Sequence, residues 1–198
     1  HDKIIGRLIE GLEKLGLRED TLIIYVGDNG SPQEVCSIMH KHDEVCGGKG
    51  LTKDTGTHVP LICNQPGTIY PMVSDDLIDS TDFLPTILEA TKINSPENFQ
   101  IDGKSFYPQL IGNKGNPRDW IFFHFDPMSP RAIASKSPAA GKPLVRFVRN
   151  KKWKLYEDGR LYDMTNDRDE ESPFLSTNDN TEKLKIRQSL KKILDDMK

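Results

Sequence analysis

The sequence predicts an α/β fold: the closing part of an α/β sheet domain over residues 1–116, then a small α+β subdomain over residues 117–198, an antiparallel sheet with a C-terminal helix. Three observations carry this reading. An amphipathic helix runs directly into an apolar, β-branched strand at the N-terminus. Helical and strand patterns then alternate as far as the connector "GNKGNPRD" at residues 112–119. From Trp120 onward, strand follows strand until one last helix.

"DKIIGRLIEGLEKLGL" places Ile5, Leu8, Ile9, Leu12 and Leu15 at three- and four-residue intervals, the stripe of an amphipathic helix, and Gly16 falls where a left-handed C-cap is wanted. "TLIIYV" is apolar on both alternating faces, as a strand buried within a parallel sheet is. Residues 31–58 read as a long polar loop with glycines at "GGKG", and "VPLICN" (59–64) as a second short strand closed by "QPG". "DSTDFLPTILEA" reads as a helix whose Pro85 is tolerated because it falls in the first turn. Beyond the connector come "WIFFHF", "PLVRFVRN", "KWKLYE" and "RLYDM", the last two joined by an Asp158-Gly159 turn. "TEKLKIRQSLKKILDDMK" closes the chain as a helix with Leu184, Leu190, Ile193, Leu194 and Met197 available for one face.

Composition narrows the functional classes. With 198 residues there is material for one domain, or one and a part, and a net charge of -3 with no basic stripe ahead of the last helix argues against a nucleic-acid partner. No apolar stretch approaches the ~20 residues of a membrane span, and no basic-plus-apolar leader follows His1. Cys36 and Cys46 flank one loop and either pair, in an oxidising compartment, or stay free; Cys63 is the odd one.

Chemistry concentrates at the strand end "GDNG". Ligands of open α/β sheets sit outside the carboxyl ends of the strands. There Asp28 and Asn29 offer a carboxylate and an amide carbonyl, hard oxygen donors suited to Ca²⁺ or Mg²⁺. Two ligands are fewer than the ~6–8 that Ca²⁺ takes, and D-N-G alone also fits a plain turn. Twenty positions beyond Asn29 comes Lys49, between the glycines of "CGGKG": a point charge suited to a tetrahedral oxyanion on a backbone able to approach it closely. His40 and His42, at i and i+2, lack a third ligand for a transition metal and read as solvated loop residues.

Taken in order, "GDNG", "GGKG", "DTGTHVPLICNQPG" and "DFLPTIL" resemble the sulfatase family of the alkaline-phosphatase superfamily. "IDGKSFYPQLIG" and "KWKLYEDGRLYDMTNDRDE" resemble its later connector and C-terminal hairpin. The resemblance implies an alkaline-phosphatase-like sheet domain and a sulfuric ester hydrolase, acting on sulfated small molecules or glycans, in the periplasm or outside the cell. It implies Asp28 and Asn29 as ligands of Ca²⁺, with Mg²⁺ the second choice, and Lys49 gripping a sulfate oxygen and stabilising charge as the ester breaks. His58 stands where the family often has arginine, and His124 lies on a strand of the subdomain that lines the family's pocket rim; each is a substrate contact or a structural residue.

The family's nucleophile is a formylglycine made within C/S-x-P/A-x-R, and "VCSIM", "VCGGK" and "ICNQP" all depart from that motif. The chain therefore resembles the C-terminal portion of a sulfatase, with half a metal site and the formylglycine expected upstream. Two other readings stand beside it. A phosphodiesterase or phosphonate hydrolase of the same superfamily typically shows D-H-G at the strand end, and Asn29 speaks against that. A non-catalytic module binding sulfated glycans would need no nucleophile.

Overall fold

The computed structural model describes residues 1–39, 44–126, 134 and 143–197; His40 and His42 lie outside them. The chain divides into two compact units, His1–Gly27 with Pro60–Arg118, and Asp28–Val59 with Asp119–Lys198. The residue 31–58 loop thus groups with the C-terminal strands rather than with the strand that precedes it.

In the first unit, helix α1 (Asp2–Lys14) ends as its sequence predicts. Gly16 takes φ +66°, and the amides of Gly16 and Leu17 bond back to the carbonyls of Glu13 and Leu12, closing the last turn. Strand β1 (Ile23–Val26) departs from expectation. It pairs antiparallel with β4 (Leu61–Asn64), Ile23 facing Asn64 and Val26 facing Leu61, and it is half-buried, with Val26 42% exposed. An unbroken apolar run marks a strand that favours burial; the direction of its neighbour is set by the chain's path, which the run does not encode.

A 3₁₀ turn (Ser80–Asp82) leads into α3 (Phe83–Ala90), with Pro85 in its first turn. Asp79 caps the turn: its carboxylate accepts from the Thr81 amide at 2.9 Å, while the Asp79 amide donates to Asp82 Oδ2 at 2.8 Å. Asp82 is almost fully buried and is satisfied by Arg118 Nε and Nη2, each 2.6 Å away, and by the Lys104 amide. A fork–carboxylate pair of this kind ties the start of α3 to the chain segment 36 residues on. The short helix α4 (Tyr107–Leu110) follows Phe106, which packs edge-on against Phe83.

The second unit is built on a four-stranded antiparallel sheet, β5 (Ile121–Phe125), β6 (Val145–Arg149), β7 (Trp153–Tyr156) and β8 (Leu161–Asp163), paired in sequence order. The Asp158-Gly159 turn joins β7 to β8 with Gly159 at φ +93°. Alternation assigns the two faces. Val148, Trp153, Leu155 and Leu161 pack under helix α5 (Thr181–Asp196), whose Leu190 and Leu194 complete that cluster. Phe147, Tyr156, Tyr162 and Met164 form a second cluster on the opposite face. The helix stripe differs from expectation: Ile186 joins Leu190, Ile193 and Leu194, while Leu184 and Met197 are 45% and 44% exposed. At 3.6 residues per turn, residues 186, 190 and 194 align, whereas 184 falls roughly a third of a turn away from 190.

The segment read as a polar loop contains more structure than expected. Strands β2 (Cys36–Ile38) and β3 (Glu44–Cys46) form a hairpin in which Cys36 lies opposite Cys46, and the two are disulfide-bonded. A single helical turn, α2 (Asp54–Thr57), follows. Among the described residues, no helix is long and apolar enough to cross a membrane.

Candidate active site

Three short segments converge in the second unit, and glycine makes the convergence possible. The Gly30 amide donates to the Gly56 carbonyl at 3.0 Å, and a Cβ on Gly30 would lie 1.9 Å from the Thr55 carbonyl oxygen. A Cβ on Gly48 would lie 2.3 Å from Thr55 Oγ1 and 2.6 Å from the Gly56 amide nitrogen. Only residues without a side chain let three backbones lie this close. The Lys49 amide donates to the Ser31 carbonyl at 2.9 Å, and the Lys49 carbonyl accepts from Gln33 Nε2 at 3.2 Å.

These contacts bring together the segments carrying Asp28, Asn29, Lys49 and His58. Asp28 and Lys49 are exposed and Asn29 is half-buried. His58 ends α2, with its amide on the Asp54 carbonyl at 2.8 Å; its ring is 69% exposed, with Nδ1 3.7 Å from Asp54 Oδ2. That distance is ionic proximity rather than a hydrogen bond.

His124 is placed elsewhere. It shares the face of β5 with Phe122, which packs into the cluster under α5, and it is exposed opposite Arg146. The 51–58 segment is tied to the sheet through Lys154 and Tyr156, which belong to the other face. The structure therefore does not bring His124 together with Lys49.

The donor set limits what this segment can hold. Asp28 and Asn29 supply hard oxygen atoms, the chemistry of a Ca²⁺ ligand, yet among the described residues no cluster of three or more His, Cys, Asp or Glu side chains is poised around an ion. Two donors fit part of such a shell. The cysteines are equally restricted: Cys36 and Cys46 are joined to each other, and burial pushes the Cys63 thiol up to about 11, so it stays protonated near neutrality.

Sequence reasoning missed the residues that anchor the site loop. Arg149 Nη1 bonds Asp54 Oδ1 at 2.7 Å. Burial works to raise the Asp54 pKa, but His58, Arg149 and Lys154 outweigh it and hold the carboxyl below its ordinary value. Lys154 Nζ donates to the Thr52 carbonyl and to Glu170 Oε1, and Tyr156 Oη sits 2.9 Å from Thr52 Oγ1. The available signal was a lysine set between Trp153 and Leu155 in a strand otherwise apolar or aromatic.

The sulfatase family model matches residues 1–93, and the model of the C-terminal part of N-sulphoglucosamine sulphohydrolase matches residues 48–198. The chain belongs to the sulfatase family. Human (Homo sapiens) arylsulfatase A is 34% identical over 123 residues, which cover 62% of this chain and 24% of that protein. The chain spans about a quarter of the length of such relatives. Among solved structures, one obtained in complex with its substrate D-glucosamine-2-N,6-O-disulfate superposes with a TM-score of 0.69 at 23% identity, over 99% of this chain and 37% of that one. The phosphonate monoester hydrolase of Agrobacterium radiobacter superposes equally, TM-score 0.69 at 24% identity, over 98% and 38%. At these identities the likeness establishes the shared fold.

Proposed function

We propose that the complete protein hydrolyses sulfate esters of carbohydrates, and that this chain contributes half of the metal site and the lysine that receives the sulfate. The observation that carries the reading is the glycine-mediated convergence of the Asp28–Gly30, Gly48–Lys49 and Gly56–His58 segments in a member of the sulfatase family. Asp28 and Asn29 would hold Ca²⁺, with Mg²⁺ the alternative. A bound cation there would draw charge from the sulfate oxygens. Lys49, exposed on a loop whose backbone is fixed at Ser31 and Gln33, donates to a sulfate oxygen and stabilises the charge that grows as the S–O bond to the alcohol breaks.

His58, two residues beyond Gly56, orients the sugar at the rim. The nucleophile comes from residues outside these 198, since none of the three cysteines lies in the formylglycine motif. The carbohydrate substrate class is supported by the match to the N-sulphoglucosamine sulphohydrolase C-terminal model. The Cys36–Cys46 bond supports an oxidising compartment, periplasmic or extracellular.

The test uses the complete protein with Ca²⁺ and a sulfated sugar, with the matching phosphonate ester as a second substrate. Lys49→Ala is expected to lower turnover by about 10²–10³, the loss typical of one transition-state donor, with the melting temperature unchanged. Asp28→Ala is expected to lose bound Ca²⁺ by elemental analysis. Unchanged turnover in Lys49→Ala sinks the reading, and faster cleavage of the phosphonate moves it to the phosphonate hydrolases, whose relative shares the fold.

A further inference from the structure

We infer that Lys154, Glu170 and Tyr156 form a positioning site that sets the height and orientation of the Lys49–His58 loop over the sheet; the role given to the loop rests on the sulfate-ester reading. Lys154 is fully buried in the middle of β7, its ammonium 3.9 Å from the centre of the Phe147 ring. A lysine costs heavily in such a place unless its charge is met. Here Glu170 Oε1 meets it at 2.6 Å, and the third contact is the backbone carbonyl of Thr52, two residues before α2. Tyr156 repeats the pattern: its hydroxyl donates to Glu170 Oε2 at 2.6 Å and lies 2.9 Å from the Thr52 hydroxyl. Both sheet residues therefore touch the loop at the same residue, one through backbone and one through side chain.

Glu170 is the key to the arrangement. It sits at φ +56°, a left-handed conformation that costs a non-glycine residue energy and persists only where its surroundings over-determine it. That turn aims the carboxylate at both Lys154 and Tyr156. Simple packing would be served by an apolar residue at either position. A charged triad with a strained member, converging on one loop residue three positions from Lys49, defines geometry instead. Arg149 on Asp54 fixes the loop at a second point two residues on, so the 52–54 segment is clamped at both ends.

The arrangement predicts a split between loop order and global stability. Tyr156→Phe in the complete protein removes one hydroxyl and keeps the ring packed against Phe147 and Tyr162. Hydrogen exchange of the Gly48–His58 amides is expected to quicken about tenfold, while β6 and β7 amides exchange as in the parent. Sulfate-ester kcat is expected to fall by about ten- to a hundredfold with KM changed little, as a small misplacement of a transition-state group would do. In a Lys49→Ala background the same substitution should cost almost nothing further, because the group being positioned is gone. Thr52→Ala serves as a second variant, reaching the same contact from the loop side. Parent-like loop exchange in both variants overturns the proposal, as does exchange that quickens evenly across the unit. A Lys49→Ala protein that turns over normally would instead sink the functional reading and leave the exchange result standing.

Discussion

Asp54 shows how one carboxylate links the site to acid. It is held by Arg149 at 2.7 Å with His58 nearby, and its pKa lies below the ordinary 3.8. A carboxyl with a depressed folded-state pKa contributes stability in full above the unfolded value and loses it as pH falls through the lower folded value. Chemical denaturation of the parent is therefore expected to lose this contribution only below about pH 4. Asp54→Asn should be less stable than the parent at pH 6, and the two curves should converge in acid; parallel curves across that range would exclude the clamp. The same residue was invisible to pattern reading, because its partner Arg149 is 95 positions away.

At the scale of elements, helix α5 is the sharpest test of packing. Leu190 is 3% exposed within the cluster formed by Val148, Trp153, Leu155 and Leu161, whereas Leu184 on the same helix is 45% exposed. Leu190→Ala should destabilise the protein by about 2–5 kcal/mol through lost burial and a residual cavity. Leu184→Ala should stay within about 0.5 kcal/mol, as exposed substitutions do. Equal losses by thermal or urea unfolding would place the helix in a different rotation. Glycine turns and caps at this scale were legible, since Gly16 and Asp158-Gly159 do in the structure what their local chemistry requires. The rotation of α5 was not, because a stripe of alternatives around a leucine-rich helix is resolved only by the sheet beneath it.

For the molecule as a whole, the two units rest on unequal foundations. The first carries a two-stranded β1–β4 pair and a helix α1 with no fully buried residue, leaving Ile4, Leu8 and Leu15 at 71%, 55% and 72% exposure. A two-stranded sheet is marginal on its own, and exposed apolar stripes associate. The 198-residue chain, expressed by itself, is expected to show fast amide exchange in β1 and β4 against slow exchange in β6 and β7. It should also self-associate on size exclusion and show no turnover of a sulfated sugar with Ca²⁺ supplied. Measurable turnover by a monomer would overturn the argument that its cysteines supply no nucleophile.

What the sequence determined by itself is local: the helix and strand patterns, the turn glycines, and the ordered "GDNG", "GGKG" and "DFLPTIL" motifs that place the chain among sulfatases. Periodicity and turn chemistry act over a few residues, so they can be read in one dimension. The antiparallel pairing of β1, the grouping of residues 28–59 with the C-terminal sheet, and the Thr52, Lys154, Tyr156 and Glu170 network were decided only in three dimensions. Each depends on partners more than ten residues apart in the chain, and burial of a charge becomes favourable only once the opposite charge and the backbone carbonyl have folded onto it.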